Sequence, residues 1–365
     1  MAFGISCCHM TCVHKPNDDR IVLKECVSLL NAGYNVSLVY LGDLNEIIDK
    51  RINYVCAGKQ LNSRQARMTI GVWKVFCYAV KLNAKIYHFH DPELIPIGII
   101  LKLLRKKVIY DVHEDFPKQI LSKYWVPNKC RLFLSKIARL IEKLADTFLD
   151  GIVVVLPSIG ENFKNINNVC LYNYPLKNEL NSNVEWGNRE LFFLYAGGLS
   201  KIRCVDEISD AIGKTEYELF LAGEFEDDET KKKILNKKNV VYKGYLNREE
   251  IKYLYSKAYC GLVLFYPVPN HMQAQPVKMK EYMAAGIPFI ASNFPEWENF
   301  VKKYQCGICV NPLDISAISE AMKWMIHHPN EAKKMGENGK NVIESYYSWE
   351  NEEKKLLELY KNISG

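Results

Sequence analysis

The sequence predicts an α/β protein built from two doubly wound, Rossmann-like domains. Three observations carry that prediction. Short apolar runs alternate with helical patterns along the chain. The alternation stops at a polar, Asn-rich stretch over 173–188 and then restarts. The length of 365 residues gives each series a domain of ordinary size. A strand followed by a crossover of helix length implies parallel pairing with both sheet faces covered. Ligands of such domains sit at the carboxyl ends of the strands, so two domains facing a cleft are expected.

In chain order, a helix is expected over 21–31, stopping at Ala32-Gly33, and a strand over 36–41. A strand over 85–90, a helix over 93–104 and a strand over 107–113 follow. A long helix over 129–150 leads into a strand over 151–156. Beyond the linker, strands are expected over 191–198, 218–223, 240–244, 260–265 and 288–292. The expected divisions are therefore 1–172 for the first domain, 173–188 for the linker and 189–345 for the second domain. The last segment, 346–365, is expected to be a helix returning to the first domain.

Composition excludes several classes. Hydrophobic residues are 48% and charged residues 25%, which rules out a disordered or fibrous chain. The longest nearly apolar run, 95–104, contains Pro96 and Lys102 and is about half of the ~20 residues a membrane helix needs. No basic stretch leads into an apolar run at the N-terminus, so a cytoplasmic protein with free thiols is expected despite twelve cysteines. The clusters Cys7, Cys8, Cys12 with His14, and Cys306 with Cys309, lack a second pair at finger spacing and read as buried thiols. Charge is uneven: residues 1–175 carry 23 basic and 15 acidic side chains, while 176–365 carry 25 and 27. A one-sided basic balance points to an anionic partner. Nucleic acid is not expected, because the basic stretch lacks interleaved aromatics.

Three constellations carry chemistry. His88, His90 and Asp91 close one strand, and Asp111, His113 and Glu114 close the next. A period of two places His88 and His90 on one strand face. The cluster suits general acid–base or polar substrate contact, or else a metal held by histidines and a carboxylate. The spacing after Asp91-Pro92 disfavours the metal. Next, a short helix is predicted over 273–286, with Pro276 in its first turn and Gly286 at its cap. Its N-terminus and Lys278 suit an anion, and Glu281 suits ribose hydroxyls. Finally, Gly197 and Gly198 let a backbone approach a ligand, with Lys201 and Arg203 near enough to neutralise phosphate.

Together these motifs resemble the retaining glycosyltransferases of family 4, which have the GT-B fold. The similarity runs from His14–Ile21 through His88–Glu93, Asp111–Glu114, Ala196–Arg203, Leu221–Gly223 and Lys278–Pro288 to Tyr347–Glu350. It implies transfer of a sugar from a nucleoside-diphosphate sugar to a glycan or lipid-linked acceptor, in surface polysaccharide synthesis, with no cofactor and no metal. By position it implies catalytic roles for His90, Asp91 and His113. It implies donor binding by Gly197, Gly198, Arg203, Tyr245, Leu246, Gln273, Lys278 and Glu281, with Glu281 on the ribose and Lys278 and Arg203 on the diphosphate. The family commonly has Glu where this chain has Gln273, and a basic residue where it has Gly198; Lys278 is expected to compensate for the lost cation.

Two other functions compete. One is a catalytically weak sugar-nucleotide-binding protein, motivated by Gln273. The other is a metal-dependent hydrolase using His88, His90 and His113. A last expectation concerns the helix over 129–150. Phe133, Ile137, Leu140, Ile141 and Leu144 read as its sheet-packing side. Lys129, Lys136, Arg139 and Lys143 read as a basic stripe suited to a solvated face or to peripheral contact with an anionic membrane.

Overall fold

A computed structural model describes residues 4–365 apart from 45, 46, 62, 123–125, 178, 181–183 and 273–275. It divides into two units, the first comprising Met1–Asn173 with Glu350–Gly365, and the second Tyr174–Trp349. Among the described residues the first unit holds a seven-stranded parallel sheet. Its strands are β1 Ser6–Met10, β2 Asn35–Tyr40, β3 Asn53–Cys56, β4 Ile86–Phe89, β5 Lys107–Val112, β6 Gly151–Val154 and β7 Asn168–Cys170. They lie in the order β3-β2-β1-β4-β5-β6-β7.

The second unit repeats the design with six strands. These are β8 Glu190–Ala196, β9 Glu218–Ala222, β10 Val240–Gly244, β11 Ala258–Val263, β12 Phe289–Ser292 and β13 Gly307–Val310. Their order is β10-β9-β8-β11-β12-β13. Both orders are doubly wound, so the expected pair of Rossmann-like domains is present. In each, the winding reverses beside the first strand, between β1 and β4 and between β8 and β11. Those are the positions where such folds bind ligands.

The pleat sorts the first sheet into two layers. Cys8, Met10, Tyr87, Phe89, Val108, Tyr110 and Val112 point into one apolar core. His9, His88 and Asp111 alternate with them and are buried as well. Alternation therefore places them on the opposite face. That face is covered by the helix beginning at Asp19 and by the C-terminal helix Trp349–Ser364, whose Tyr360 reaches the histidines. The C-terminal helix lies so close to β6 that a Cβ on Gly151 would come 2.8 Å from Ile363.

The first helix is wound as a π-helix over Asp19–Cys26 before becoming α-helical over Val27–Asn31. Asp18 caps it, accepting from the N–H groups of Arg20 and Ile21 at 3.0 Å each. The wide winding brings Arg20 and Glu25, five residues apart, within 3.2 Å. An α-helix would put that spacing on different sides.

Three expectations are modified. The segment expected as a linker is assigned to the second unit from Tyr174 on, and its Leu180 is buried in that unit's core; residues 178 and 181–183 lie outside the described residues. Pro276 precedes the helix Val277–Ala284 as its N-cap instead of lying in its first turn. The long helix, Asn128–Phe148, packs by only one member of its apolar stripe: Ile141 meets the core, Phe133 and Leu140 are 66% and 60% exposed, and Ala138, Glu142 and Ala145 face inward. All twelve cysteines are free, and burial pushes the Cys7, Cys8 and Cys12 thiols up, so they remain protonated.

Candidate functional site

In the first unit the site grows from the ends of β1, β4 and β5. β1 and β4 run in register, His9 beside His88, and the His90 N–H still donates to the Met10 carbonyl at 3.2 Å. Beyond that point the chains part. Asp91 then holds the loop that leaves β1. Its Oδ2 accepts from Thr11 Oγ1 at 2.9 Å and from the N–H groups of Cys12 and Val13 at 2.6 and 3.2 Å. Its Oδ1 lies 3.4 Å from His14 Nε2. The carboxylate expected to act on substrate is thus committed to the loop that presents His14.

Asp111, at the end of β5, is the hub. Arg20 donates to it twice, Nε to Oδ2 at 3.0 Å and an amino group to Oδ1 at 3.1 Å. Its Oδ2 also meets His90 Nδ1 at 3.3 Å and His113 Nε2 at 3.0 Å. Burial opposes ionisation of Asp111, but Arg20 and His113 outweigh it and hold the carboxyl well below the usual range. Burial and the adjacent Asp111 charge push Glu25 well above that range. Burial also lowers His9, His88 and His90. Arg20 lies between the two carboxyls, 3.0 Å from Asp111 and 3.2 Å from Glu25.

The rings form a chain. His9 Nδ1 lies 3.0 Å from His90 Nε2, and His9 Nε2 lies 3.2 Å from the Tyr360 hydroxyl. That hydroxyl is also 3.0 Å from His88 Nδ1. One hydroxyl between two ring nitrogens donates to one and accepts from the other. His90 is 1% exposed with both nitrogens engaged, so it offers no free nitrogen to a sugar in this structure. The accessible rings are His14 and His113, 25% and 19% exposed at the side chain and 4.7 Å apart. Asp18 and Asp91 raise the His14 pKa against the opposing effect of burial. His90 and His113 thus share Asp111, and His113 is the more exposed of the two.

The potential metal ligands form two groups among the described residues, His9, Glu25, His88 and His90 in one and His90, Asp111 and His113 in the other. His88 and His113 do not share a group, so the three histidines of the hydrolase reading do not converge. Neither group includes a cysteine.

In the second unit the site again lies at the switch point. β8 runs into Gly197-Gly198, and the loop continues through Arg203 into a helix. Gly197 has φ +128° and Gly223, after β9, has φ +143°. A Cβ on Gly223 would stand 2.0 Å from the Gly197 carbonyl oxygen, so only glycine lets these two turns touch. Helix Val277–Ala284 is pinned by Tyr282, whose hydroxyl donates to the Leu194 carbonyl at 2.9 Å and accepts from the Ala196 N–H at 3.2 Å. Gly261 makes room for that ring; a Cβ there would come 2.4 Å from it.

This anchoring sets Lys278 and Glu281. Lys278 is buried, and its Nζ has no hydrogen-bond partner among the described residues. It sits 3.6 Å from the Tyr195 ring centroid, and 3.1 Å from where a Cβ on Gly197 would lie. Arg203 is beside it, with a terminal nitrogen 3.5 Å from the Gly198 carbonyl oxygen. Burial and the Arg203 charge lower Lys278 well below its ordinary range. Lys278 and Arg203 thus converge on the glycine turn, and no hydrogen-bond acceptor meets Lys278 among the described residues.

Glu281 is already engaged: Oε1 accepts from Arg248 at 3.0 Å and Oε2 from the Tyr255 hydroxyl at 3.0 Å. Arg248 also binds Glu179. Glu281→Gln is expected to cost ~1–3 kcal/mol of stability, since its amide turns an acceptor into a donor facing one of these donors. A thermal melt of the purified variant identical to wild type would contradict that. Tyr245 is exposed after β10 and Leu246 packs partly into the core. Gln273 lies outside the described residues. Arg248, Tyr255, His9 and Tyr360 were not singled out from sequence.

Residues 177–342 match the family of glycosyl transferases group 1. The two parallel-sheet domains and the glycine turn at the second unit's switch point agree with that match, which lies within the second unit. It is 22% identical over 286 residues to D-rhamnosyltransferase WbpZ of Pseudomonas aeruginosa, covering 74% of this chain and 71% of the relative. Its fold is similar to sucrose-phosphate synthase of Thermosynechococcus elongatus, with TM-score 0.75, 16% identity and 98% and 99% of the two chains covered. It is also similar to HepE of Anabaena, solved in complex with UDP and glucose, with TM-score 0.74, 13% identity and 98% and 100% covered. No described helix is long and apolar enough to cross a membrane.

Proposed function

We propose that this chain is a retaining, metal-independent glycosyltransferase moving a sugar from a nucleoside-diphosphate sugar to a glycan or lipid-linked acceptor in surface polysaccharide synthesis. The observation that carries the reading is Lys278, a buried amine with no hydrogen-bond partner among the described residues, set against the Gly197-Gly198 turn beside Arg203. A diphosphate supplies the missing acceptors. Similarity to a rhamnosyltransferase and to a fold solved with UDP and glucose supports the donor class.

In this reading Lys278, Arg203 and the Gly197-Gly198 backbone take the diphosphate, and Glu281 exchanges part of its present bonding for ribose hydroxyls. Tyr245 and Leu246 flank the base. The anomeric carbon–oxygen bond breaks, and its electron pair passes to the phosphate, where the two cations stabilise it. The acceptor hydroxyl attacks from the same face and gives its proton to the departing phosphate. His113, oriented by Asp111, is assigned to the sugar, and His14 lies 4.7 Å from it. No divalent ion is needed where fixed cations stabilise the leaving charge.

The test is transfer from a panel of nucleoside-diphosphate sugars in EDTA, with the product linkage read by NMR. Turnover with the donor's anomeric configuration kept is expected. An inverted product, or activity lost in EDTA and restored by one divalent ion, would overturn the mechanism.

A further inference from the structure

The helix Asn128–Phe148 is amphipathic with its apolar stripe turned outward. At 3.6 residues per turn, Leu140, Phe133, Leu144, Ile137 and Phe148 fall within an arc of about 80°. All five are exposed. Lys129, Lys136, Arg139 and Lys143 occupy the adjoining arc and are exposed too. The inward face is made by Ser135, Ala138, Glu142 and Ala145, small or polar groups, with Ile141 at its margin packed on the core. The adjacent helix Ile95–Leu103 ends in exposed Leu103 and Leu104, followed by Arg105 and Lys106. Over 102–143 the chain carries 11 basic and 4 acidic side chains.

Apolar side chains of this size are not left in a row on water without reason. A soluble acidic protein would complement the charge, but it would not explain aromatic and leucine side chains running alongside lysines over the helix. An interface of apolar and anionic layers complements both arcs at once. Phe133, Leu140 and Leu144 reach the acyl boundary, while Lys129, Lys136, Arg139 and Lys143 stay at the headgroups, their stems lying along the apolar surface. We infer that this helix is the docking face of the chain for an anionic lipid bilayer, inserted by its apolar stripe and held by its basic one. The face belongs to the first unit alone, so the inference stands apart from donor chemistry in the second.

The experiment is co-sedimentation of the full chain with vesicles of phosphatidylcholine alone and of phosphatidylcholine with phosphatidylglycerol, at low and high salt. Two variants are compared, Lys136→Glu with Arg139→Glu and Lys143→Glu, and Phe133→Ser with Leu140→Ser and Leu144→Ser. All six positions are exposed, so the fold is not at stake, and unchanged melting confirms it. Wild type is expected to partition onto the anionic vesicles and to be released by salt. Because each basic residue near such a surface strengthens binding about fivefold, the charge-reversed variant should lose at least ~100-fold. The serine variant should also lose binding, and Phe133→Trp should show a blue-shifted emission on anionic vesicles only. Equal binding to neutral and anionic vesicles, no binding to either, or full binding by the serine variant would overturn the inference. So would a concentration-dependent dimer abolished by the serine changes without any vesicle binding. None of these readouts depends on transfer activity.

Discussion

Lys278→Met is expected to weaken nucleoside-diphosphate binding by about 10- to 100-fold while making the empty protein more stable. The two signs are opposite because the amine has no hydrogen-bond partner among the described residues of the unliganded site. Its burial costs free energy that a flexible apolar side chain of similar length recovers. A charged hydrogen bond to phosphate is worth ~1.5–3 kcal/mol, and that is what the ligand loses. The free lysine is held well below its ordinary pKa by burial and by Arg203, and phosphate oxygens raise it again. Binding therefore takes up a proton, and wild-type affinity falls as pH rises through the depressed value. Calorimetry in two buffers of different ionisation enthalpy measures that uptake, and the variant should show none. A variant less stable than wild type, with unchanged affinity, would make Lys278 a structural cation only.

Asp111→Asn is the second large effect. It breaks the paired donation from Arg20 and takes the shared partner from His90 and His113. Leaving a buried guanidinium without its main counterion costs ~3–5 kcal/mol, reduced here to the extent that Glu25 ionises in its place. Transfer should be lost, because His113 is no longer oriented, while nucleotide affinity in the second unit stays at the wild-type level. The pH dependence has a definite sign. Asp111 has a depressed folded pKa, so its contribution is present above the ordinary carboxylate range and is lost as pH falls through the depressed value. The wild-type advantage over Asp111→Asn should therefore be full at pH 7 and shrink in acid. Equal stability at both pH values, by denaturant unfolding, would remove Asp111 from the hub.

The strands rich in Val, Ile, Leu and Phe were legible because buried parallel strands read as continuous apolar runs. β1 was not. Ser6-Cys-Cys-His-Met10 looks like a thiol and histidine cluster, yet it is a central strand. Missing it meant missing His9, which joins His90 to Tyr360. β3, β7 and β13 are three or four residues long at or near sheet edges, too short for a periodic signal. Tyr360 lies 351 residues from His9, and nothing local announces that contact. Spacing correctly put His88 and His90 on one strand face, but burial decides which ring can meet a ligand, and burial is a tertiary property. The same limit explains the helix Asn128–Phe148. Periodicity identified its apolar arc, but the direction that arc faces is set by the neighbours it packs against.

The claim that the second unit grips a diphosphate between Lys278, Arg203 and the Gly197-Gly198 turn is tested most directly by a structure of the protein bound to a nucleoside diphosphate. Lys278 Nζ should leave its unpaired position over the Tyr195 ring and lie ~2.7–2.9 Å from a phosphate oxygen, with Arg203 on the same group. A diphosphate bound elsewhere, with Lys278 still unpaired against Tyr195, would contradict the account.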